Sequence, residues 1–504
     1  MSQSYRRKRG PISKGGCSTC KFRHVKCGEE KPECVQCTST GRKCAGYENL
    51  SQSQLRQRVT RSNLRPSPST DTQIVLLPGT REEREHFHLF CTETIQSLSG
   101  FFGSELWEYY LPQISQSDGA IRHAITAISA AHRRRLQSPT GREPPHPFEL
   151  QQYNKAIHHL LNRPSVSSEH TLLACSLFVC LEFLKLNFEP AMEHVEAGLR
   201  ILCQRQQQQA PSQLPPDVDR DLSHFFSRMN LQISFWARPL SPYEAPVEPR
   251  STEETAFTSL AEARAVLNRI MISSMVLIRL SMRVQQNESL VPDHEAHRCA
   301  EMQQQLERQY NSWWVAFERM KKRLSRSKKR APDPRAVLVI QVHHQTLRFW
   351  TLGVQSTSEM VYDNFNDEFE KIVGWSEEIK QLSSADHQRP FLLETDIAPA
   401  LYLTARKCRH PLIRRRAIEL LEQCPIQEGL WNTKENSAIA TYTMELEEAF
   451  LAHLPVEQRV PEEQHRLYET RTMDVGLCNP CPVEFVWRSK DGTGLEFRTE
   501  FVSW

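Results

Sequence analysis

The sequence predicts a small metal-stabilised head, a flexible linker and a large all-α body that ends in a short β-hairpin. Three observations carry that reading. Six of the 15 cysteines fall within the first 44 residues. From about Glu83 onward, apolar residues recur at helical spacing, and no alternation of strands and helices interrupts them until the end. Near the end, Val483–Arg488 and Leu495–Trp504 are rich in Val, Phe and Trp and flank Asp491-Gly492-Thr493-Gly494, a hairpin signature.

Composition sets the frame. The chain has 504 residues, 39% hydrophobic and 24% charged, enough for several domains. Its start is basic and lacks an apolar core, so it does not read as a secretory signal. No charge-free apolar run reaches about 18 residues, so no membrane span and no membrane partner are expected. In a reducing compartment, clustered cysteines bind metal more often than they form disulfides. The net charge of +3 hides an asymmetry. Residues 1–44 carry eleven Lys/Arg against three Asp/Glu, a surplus of eight, which leaves the remainder at minus five. A basic head on a mildly acidic body implies a polyanionic partner for the head alone.

The head comes first. Cys17, Cys20, Cys27, Cys34, Cys37 and Cys44 follow the spacing C-x2-C-x6-C-x6-C-x2-C-x6-C, so the second three repeat the first three. Zinc takes four ligands in a tetrahedron, and thiolates suit it. One zinc would leave two of the six sulfurs over. Two Zn2+ ions need eight positions, and six sulfurs fill them if two sulfurs bridge. The segment has little apolar material beyond Phe22 and Val25, so metal binding should supply most of its folding free energy, on the order of 10 kcal/mol or more per ion.

GCSTCKFRHVKCGEEKPECVQCTSTGRKCAGY, Gly16 to Tyr47, resembles the fungal binuclear zinc cluster transcription factors. Lys26 before the third cysteine, Pro32 between the halves and Gly41 before the last cysteine match that pattern, whereas Gly28 stands where the family often has Asp. The resemblance implies that Cys17 and Cys34 bridge the two metals. It also implies double-stranded DNA as partner, the nucleus as location, and contacts to a CGG-type triplet from the middle of the first helix, here Arg23 and His24. His24 replaces the commoner Lys or Arg.

Residue chemistry agrees with a groove reader. The first C-x2-C should open a short helix, Ser18 to Lys26, of the kind that enters a major groove. An Arg there offers two donors to guanine, worth about 1–3 kcal/mol against a wrong base. Lys21, Lys26 and Lys43 suit phosphates, which position a module without reading sequence. Arg6, Arg7, Lys8 and Arg9 lie in a basic arm, residues 1–14, suited to nuclear import and added phosphate contact.

Domain boundaries follow: the arm over 1–14, the cluster over 15–47, a linker over 48–82 and the helical regulatory domain over 83–504. In the linker, Leu50, Leu55, Val59 and Leu64 share no heptad seam, and Ser, Gln, Arg and Pro dominate. No coiled coil is evident there. The head is therefore a monomeric reader, or dimers are made by the large C-terminal region.

Within the body, helices are expected at Asp118–Leu136, Phe148–Leu161, Thr171–Leu186, around Val195, Leu199 and Leu202, and at Thr255–Arg283. Further helices are expected at Glu301–Lys322, Ala336–Gln355, Glu368–Leu382, around Ile413, Ala417, Leu420 and Leu421, and at Ala438–Leu451. Loops are expected at Ser138–Pro147, Gln204–Pro216, Pro239–Arg250 and Ser325–Pro334. In order along the chain, FFGSELWEYYLPQ, AIRHAITAISAAH, TLLACSLFVCLEFL, MEHVEAGLRIL and PALYLTARKCRHPLIRRRAIELL resemble the helical regulatory domain of one large group of these factors. The family often has Arg where Gln427 precedes Glu428-Gly429. That resemblance implies co-regulator contacts or a small-molecule sensor whose output is the DNA-binding head.

Other motifs read as structure. His294-Glu295-Ala296-His297 lacks the i, i+4 histidines of a zinc protease. Cys478 and Cys481 form a lone C-x2-C without partners. Trp107, Trp313, Trp314 and Trp431 read as core anchors, and Cys175 and Cys180 as core of an apolar helix. The basic run Lys321–Arg330 reads as a solvated loop. No phosphate loop, nucleophile elbow or paired catalytic carboxylates appear, so no enzyme is expected.

Overall fold

A computed structural model describes residues 15–23, 25–40, 44, 46–47, 79–138, 143–163, 167–236, 238–246, 256–286, 293–326, 332–383, 391–472, 479–489 and 494–504. The chain divides into two compact units, Met1–Leu76 and Leu77–Trp504. The basic arm, with Arg6, Arg7, Lys8 and Arg9, lies outside the described residues, as do nearly all of 48–82, Cys478 and most of the Asp491–Gly494 turn.

The first unit holds two short helices, α1 (Ser18–Arg23) and α2 (Val35–Thr38). Each begins directly after a cysteine. Helix α1 ends three residues earlier than the sequence suggests, so Lys26 lies beyond it.

The second unit opens with α3 (Arg81–Leu89). A reciprocal capping box starts it: Glu83 N–H donates to Thr80 Oγ1 at 3.2 Å, and Thr80 N–H donates to Glu83 Oε2 at 2.9 Å. A π-helical turn, Phe90–Thr94, leads into α4 (Ile95–Ser99), and another, Leu106–Tyr110, into α5 (Leu111–Ile114). Five long helices follow: α6 (Gly119–Gln137), α7 (Pro147–Leu161), α8 (Ser168–Leu184), α9 (Phe188–Gln207) and α10 (Pro216–Ser234). Asp118 Oδ1 starts α6 by accepting from the N–H groups of Ala120 and Ile121 at 2.9 and 3.2 Å. Helix α8 is apolar on nearly all sides and is buried as such helices must be, with Cys175 and Cys180 inside. These elements share one core around Phe90, Trp107, Leu181, Leu199 and Phe225.

A second core joins α11 (Leu260–Gln286), α12 (Asp293–Arg326) and α13 (Pro334–Gly353) through Leu267, Ile278, Tyr310, Trp313, Phe317 and Leu347. Trp313 is buried and donates Nε1–H to Ala263 O at 2.9 Å; Trp314 is half-buried beside it. By length and composition alone, Leu260–Gln285 is long and apolar enough to cross a membrane. Arg264, Arg269 and Arg279 interrupt the run in the sequence. Half of its most apolar 18-residue window is buried within the protein.

The third core joins α13 and α14 (Asn366–Ser383) to α15 (Ala398–Lys407), α16 (Pro411–Glu422) and α17 (Thr433–Glu448) through Phe349, Phe369, Leu401, Leu421 and Trp431. A small sheet links these helices: β1 (Phe391–Leu392) runs parallel to β2 (Gln427–Glu428), which turns back antiparallel onto β3 (Trp431–Asn432). Gly429 makes that turn at φ +56°. The C-terminal sheet is larger than a hairpin. Strand β5 (Cys481–Arg488) pairs with β6 (Leu495–Val502) and also with β4 (Glu469–Thr472), all antiparallel, in the order β4-β5-β6. Val483, Phe485 and Val502 seat it on the third core.

Candidate metal centre

The two C-x2-C pairs use the same local device. Cys17 precedes α1 and Cys20 lies one turn inside it; Cys34 caps α2 and Cys37 lies one turn inside it. Residues three apart on a helix share a face, so each pair presents two sulfurs in one direction. The α1 backbone supports its sulfur: Cys20 N–H donates to Cys17 Sγ at 3.4 Å. Cys27 Sγ accepts from the N–H groups of Cys17 and Glu29 at 3.3 and 3.4 Å.

All six thiols are buried and converge. They form two quartets, Cys17, Cys20, Cys27, Cys34 and Cys17, Cys34, Cys37, Cys44, with the sulfurs of each quartet within 4.8 Å of one another. Cys17 and Cys34 belong to both. Cys17 Sγ lies 3.6 Å from Cys34 Sγ and 3.8 Å from Cys37 Sγ, and Cys20 Sγ lies 3.7 Å from Cys34 Sγ. A tetrahedral zinc with bonds of about 2.3 Å requires sulfur separations of about 3.8 Å. The donor set therefore fits two ions with two shared sulfurs.

The thiols are unequal. Burial pushes Cys17 upward, Cys20 up to about 12, and Cys37 upward. Burial also raises Cys27, but the backbone N–H groups of Cys17 and Glu29, together with the neighbouring Cys34 and Cys17 thiols, outweigh it and bring this thiol down to about 7. Cys44 is likewise lowered against burial, by the backbone N–H groups of Cys34 and Gly46. Thiols held together and away from water resist ionisation unless a cation compensates, and zinc supplies that charge when bound.

The remaining support comes from a residue whose packing role sequence reasoning missed. Tyr47 and Val25 are the partly buried apolar residues that pack on the six cysteines. The Tyr47 hydroxyl donates to Glu30 O at 2.6 Å, and the Lys31 ammonium lies 5.8 Å from the Tyr47 ring centroid. Glu30 in turn accepts from Val35 N–H at 3.1 Å at the start of α2. The aromatic residue three positions past the last cysteine is the only signal the sequence offers for this clasp.

A family model described as the fungal Zn(2)-Cys(6) binuclear cluster domain matches residues 15–54. The head belongs to that family. Among similar proteins is the aspercryptin biosynthesis cluster-specific transcription regulator atnN of Emericella nidulans, 32% identical over 340 residues, 61% of this chain and 54% of that protein. Transcription regulator lscL of Purpureocillium lilacinum is 26% identical over 36% of this chain and 47% of its own length. The Zn(2)-C6 fungal-type transcription factor afumD of Aspergillus fumigatus is 30% identical over 26% of this chain and 36% of its own. The first two alignments span about half of those relatives' lengths. An alignment of 340 residues also extends well beyond the Zn(2)-Cys(6) head into the helical body. The names describe regulators of transcription, not enzymes. No solved structure matches the chain.

Around the Zn(2)-Cys(6) cluster, Lys21 is half-buried on α1 and Lys26 is exposed. Arg23 lies at the end of α1, but its side chain is outside the described residues, as are His24 and Lys43.

Proposed function

We propose that the chain is a zinc-dependent, sequence-specific DNA-binding regulator of RNA polymerase II transcription that acts in the nucleus. Two Zn2+ ions held by Cys17, Cys20, Cys27, Cys34, Cys37 and Cys44 give the head its shape. From it, Arg23 and His24 read a CGG-type triplet, while Lys21, Lys26, Lys43 and the arm residues Arg6, Arg7, Lys8 and Arg9 hold phosphates. The cluster occupies 15–47, the linker 48–82 and the regulatory domain 83–504, where co-regulators dock. The observation that carries this reading is the pair of thiol quartets sharing Cys17 and Cys34. A gel shift with CGG-bearing DNA tests it: binding is lost with chelator and restored by zinc. Binding that survives zinc removal overturns it.

A sensor role for the body finds less support. A cavity of about 60 Å³, lined by Arg228, Phe235, Arg264, His343 and Glu394, adjoins a cleft of about 210 Å³ that shares Arg228 and Arg264. Both volumes fall below the roughly 300–1,000 Å³ of ordinary ligand sites; a cleft of about 640 Å³, lined by Lys434, Ser437, Tyr442, Phe501 and Trp504 between α17 and the end of β6, lies within that range but presents no convergent set of buried polar groups. One carboxylate, Glu394, already engages both arginines.

A further inference from the structure

We propose that a second copy of this chain pairs with the free edge of β6, antiparallel and centred on Thr499, to make a closed dimer through a continuous six-stranded sheet. Strand β6 is eight residues long and ends the order β4-β5-β6; among the described residues no strand covers its outer edge. Long edge strands with exposed apolar residues are sites of association. Phe497 and Phe501 are 53% and 69% exposed on this strand.

The backbone fixes which residues face outward. Ser489 N–H donates to Gly494 O at 3.0 Å, and these residues stand opposite each other one step beyond the Arg488–Leu495 pair. Hydrogen-bonded and non-hydrogen-bonded pairs alternate in an antiparallel ladder. Glu496, Arg498, Glu500 and Val502 therefore turn their backbone groups toward β5. Leu495, Phe497, Thr499 and Phe501 turn theirs to the open edge. Pro482, which has no N–H, faces Phe501 at one of the positions where β5 and β6 exchange no bond.

A second β6 must match outward residues to outward residues, which leaves registers two residues of pairing apart. Centred on Thr499, Phe497 meets the partner copy's Phe501 in both directions, and Arg498 meets Glu500 in both directions. Centred on Arg498, arginine meets arginine and Glu496 meets Glu500. Centred on Glu500, glutamate meets glutamate. Centred on Phe497, Glu496 meets Arg498, but only five residues of each β6 overlap, against seven in the Thr499 register, and the Phe497–Phe501 pairs are lost. Directly opposed like charges destabilise a ladder and unlike ones stabilise it. The Thr499 register alone combines two aromatic pairs, two ion pairs and overlap of seven of the strand's eight residues. Its two-fold symmetry closes the assembly. The other edge, β4, has only four residues, and Arg471 there is already paired with Glu469 and Glu484.

Within one chain Arg498 also pairs with Glu500 at 2.5 Å, so the test must separate the two contacts. Sedimentation velocity of the full chain, across a concentration series, is expected to show a dimer of 58.4 kDa chains. Arg498→Glu and Glu500→Arg each place like charges opposite one another and should weaken dimerisation roughly tenfold or more. Neither variant has the intrachain pair, yet an equimolar mixture of the two should dimerise again, with one copy of each, because every cross-strand pair is then Glu against Arg. Thr499→Pro removes an outward N–H without touching the β5 ladder and should also weaken the dimer. A wild-type chain that stays monomeric, single variants that dimerise unchanged, a mixture that stays monomeric, or open-ended polymers would each overturn the proposal.

Discussion

Replacing Glu447 by Gln should destabilise the helical body by about 3 kcal/mol, although the side chain touches no functional group. Glu447 on α17 is fully buried between two fully buried arginines of the α15–α16 region. Arg409 Nη2 lies 2.9 Å from Oε1, Arg414 Nη2 lies 2.6 Å from Oε2, and Leu467 N–H donates to Oε1 at 2.6 Å. Burial alone would raise this carboxyl, but Arg409 and Arg414 outweigh it and hold it at about 2, against an ordinary 4.5. At roughly 1.4 kcal/mol per unit, that drop corresponds to about 3 kcal/mol. Removing one partner of a buried pair independently suggests about 3–5 kcal/mol. The arginines do not share the loss equally. Arg409 keeps Glu359 at 3.0 Å, and its carboxylate partners hold its charge firmly. Burial already pulls Arg414 down, so it is the charge left uncompensated. Glu447→Gln combined with Arg414→Met should therefore lose less than the two single changes together. Because the folded carboxyl titrates lower than the unfolded one, this stability is present above about pH 4.5 and is lost as pH falls toward about 2; the Gln variant lacks that component. Urea midpoints of the body followed by circular dichroism read both effects. A Gln variant within about 0.5 kcal/mol of wild type, the range of surface changes, would refute the reasoning.

Other outcomes follow from the head and the body. Arg23→Ala should relax triplet preference in binding assays, whereas Lys26→Ala should weaken all sequences alike and reduce the salt slope by about one. Tyr47→Phe removes the hydroxyl bond to Glu30 O, worth about 0.5–1.5 kcal/mol, and should speed zinc loss to a competing chelator. Gly429→Ala should lower the body's melting temperature, because φ is +56° and a Cβ would stand 2.0 Å from Gln232 Oε1 and 3.2 Å from the Leu393 carbonyl. Gly198→Ala should do the same, since the new methyl would stand 2.1 Å from the Phe226 ring.

What could be read in advance divides along a physical line. Ligand spacing is local, so the six cysteines declared a two-metal donor set in a 28-residue stretch, and the structure brings those thiols together. Long amphipathic helices are also local, and α6, α7, α12, α14 and α16 fall within a few residues of their sequence expectations, except that α12 starts eight residues earlier. Helix α10 begins where the expected loop Gln204–Pro216 ends and was not among the expected helices. Yet Leu222, Phe225, Phe226, Met229 and Ile233 form its buried face. Strands β1, β2 and β3 have two residues each, too few for any period. Strand β4, ETRT, lacks apolar residues and owes its place to pairing with β5. The buried Arg409 and Arg414 were invisible because arginines in a polar run read as solvent-facing; their acidic partners arrive from dozens of residues away.

Metal content tests the account most directly. The full chain, purified under reducing conditions, should contain two zinc ions per polypeptide by elemental analysis, and their removal should unfold the head while the helical body keeps its circular dichroism. A single ion, no ion, or a head that holds its fold after complete removal would contradict the shared-sulfur centre on which the proposed DNA-reading role depends.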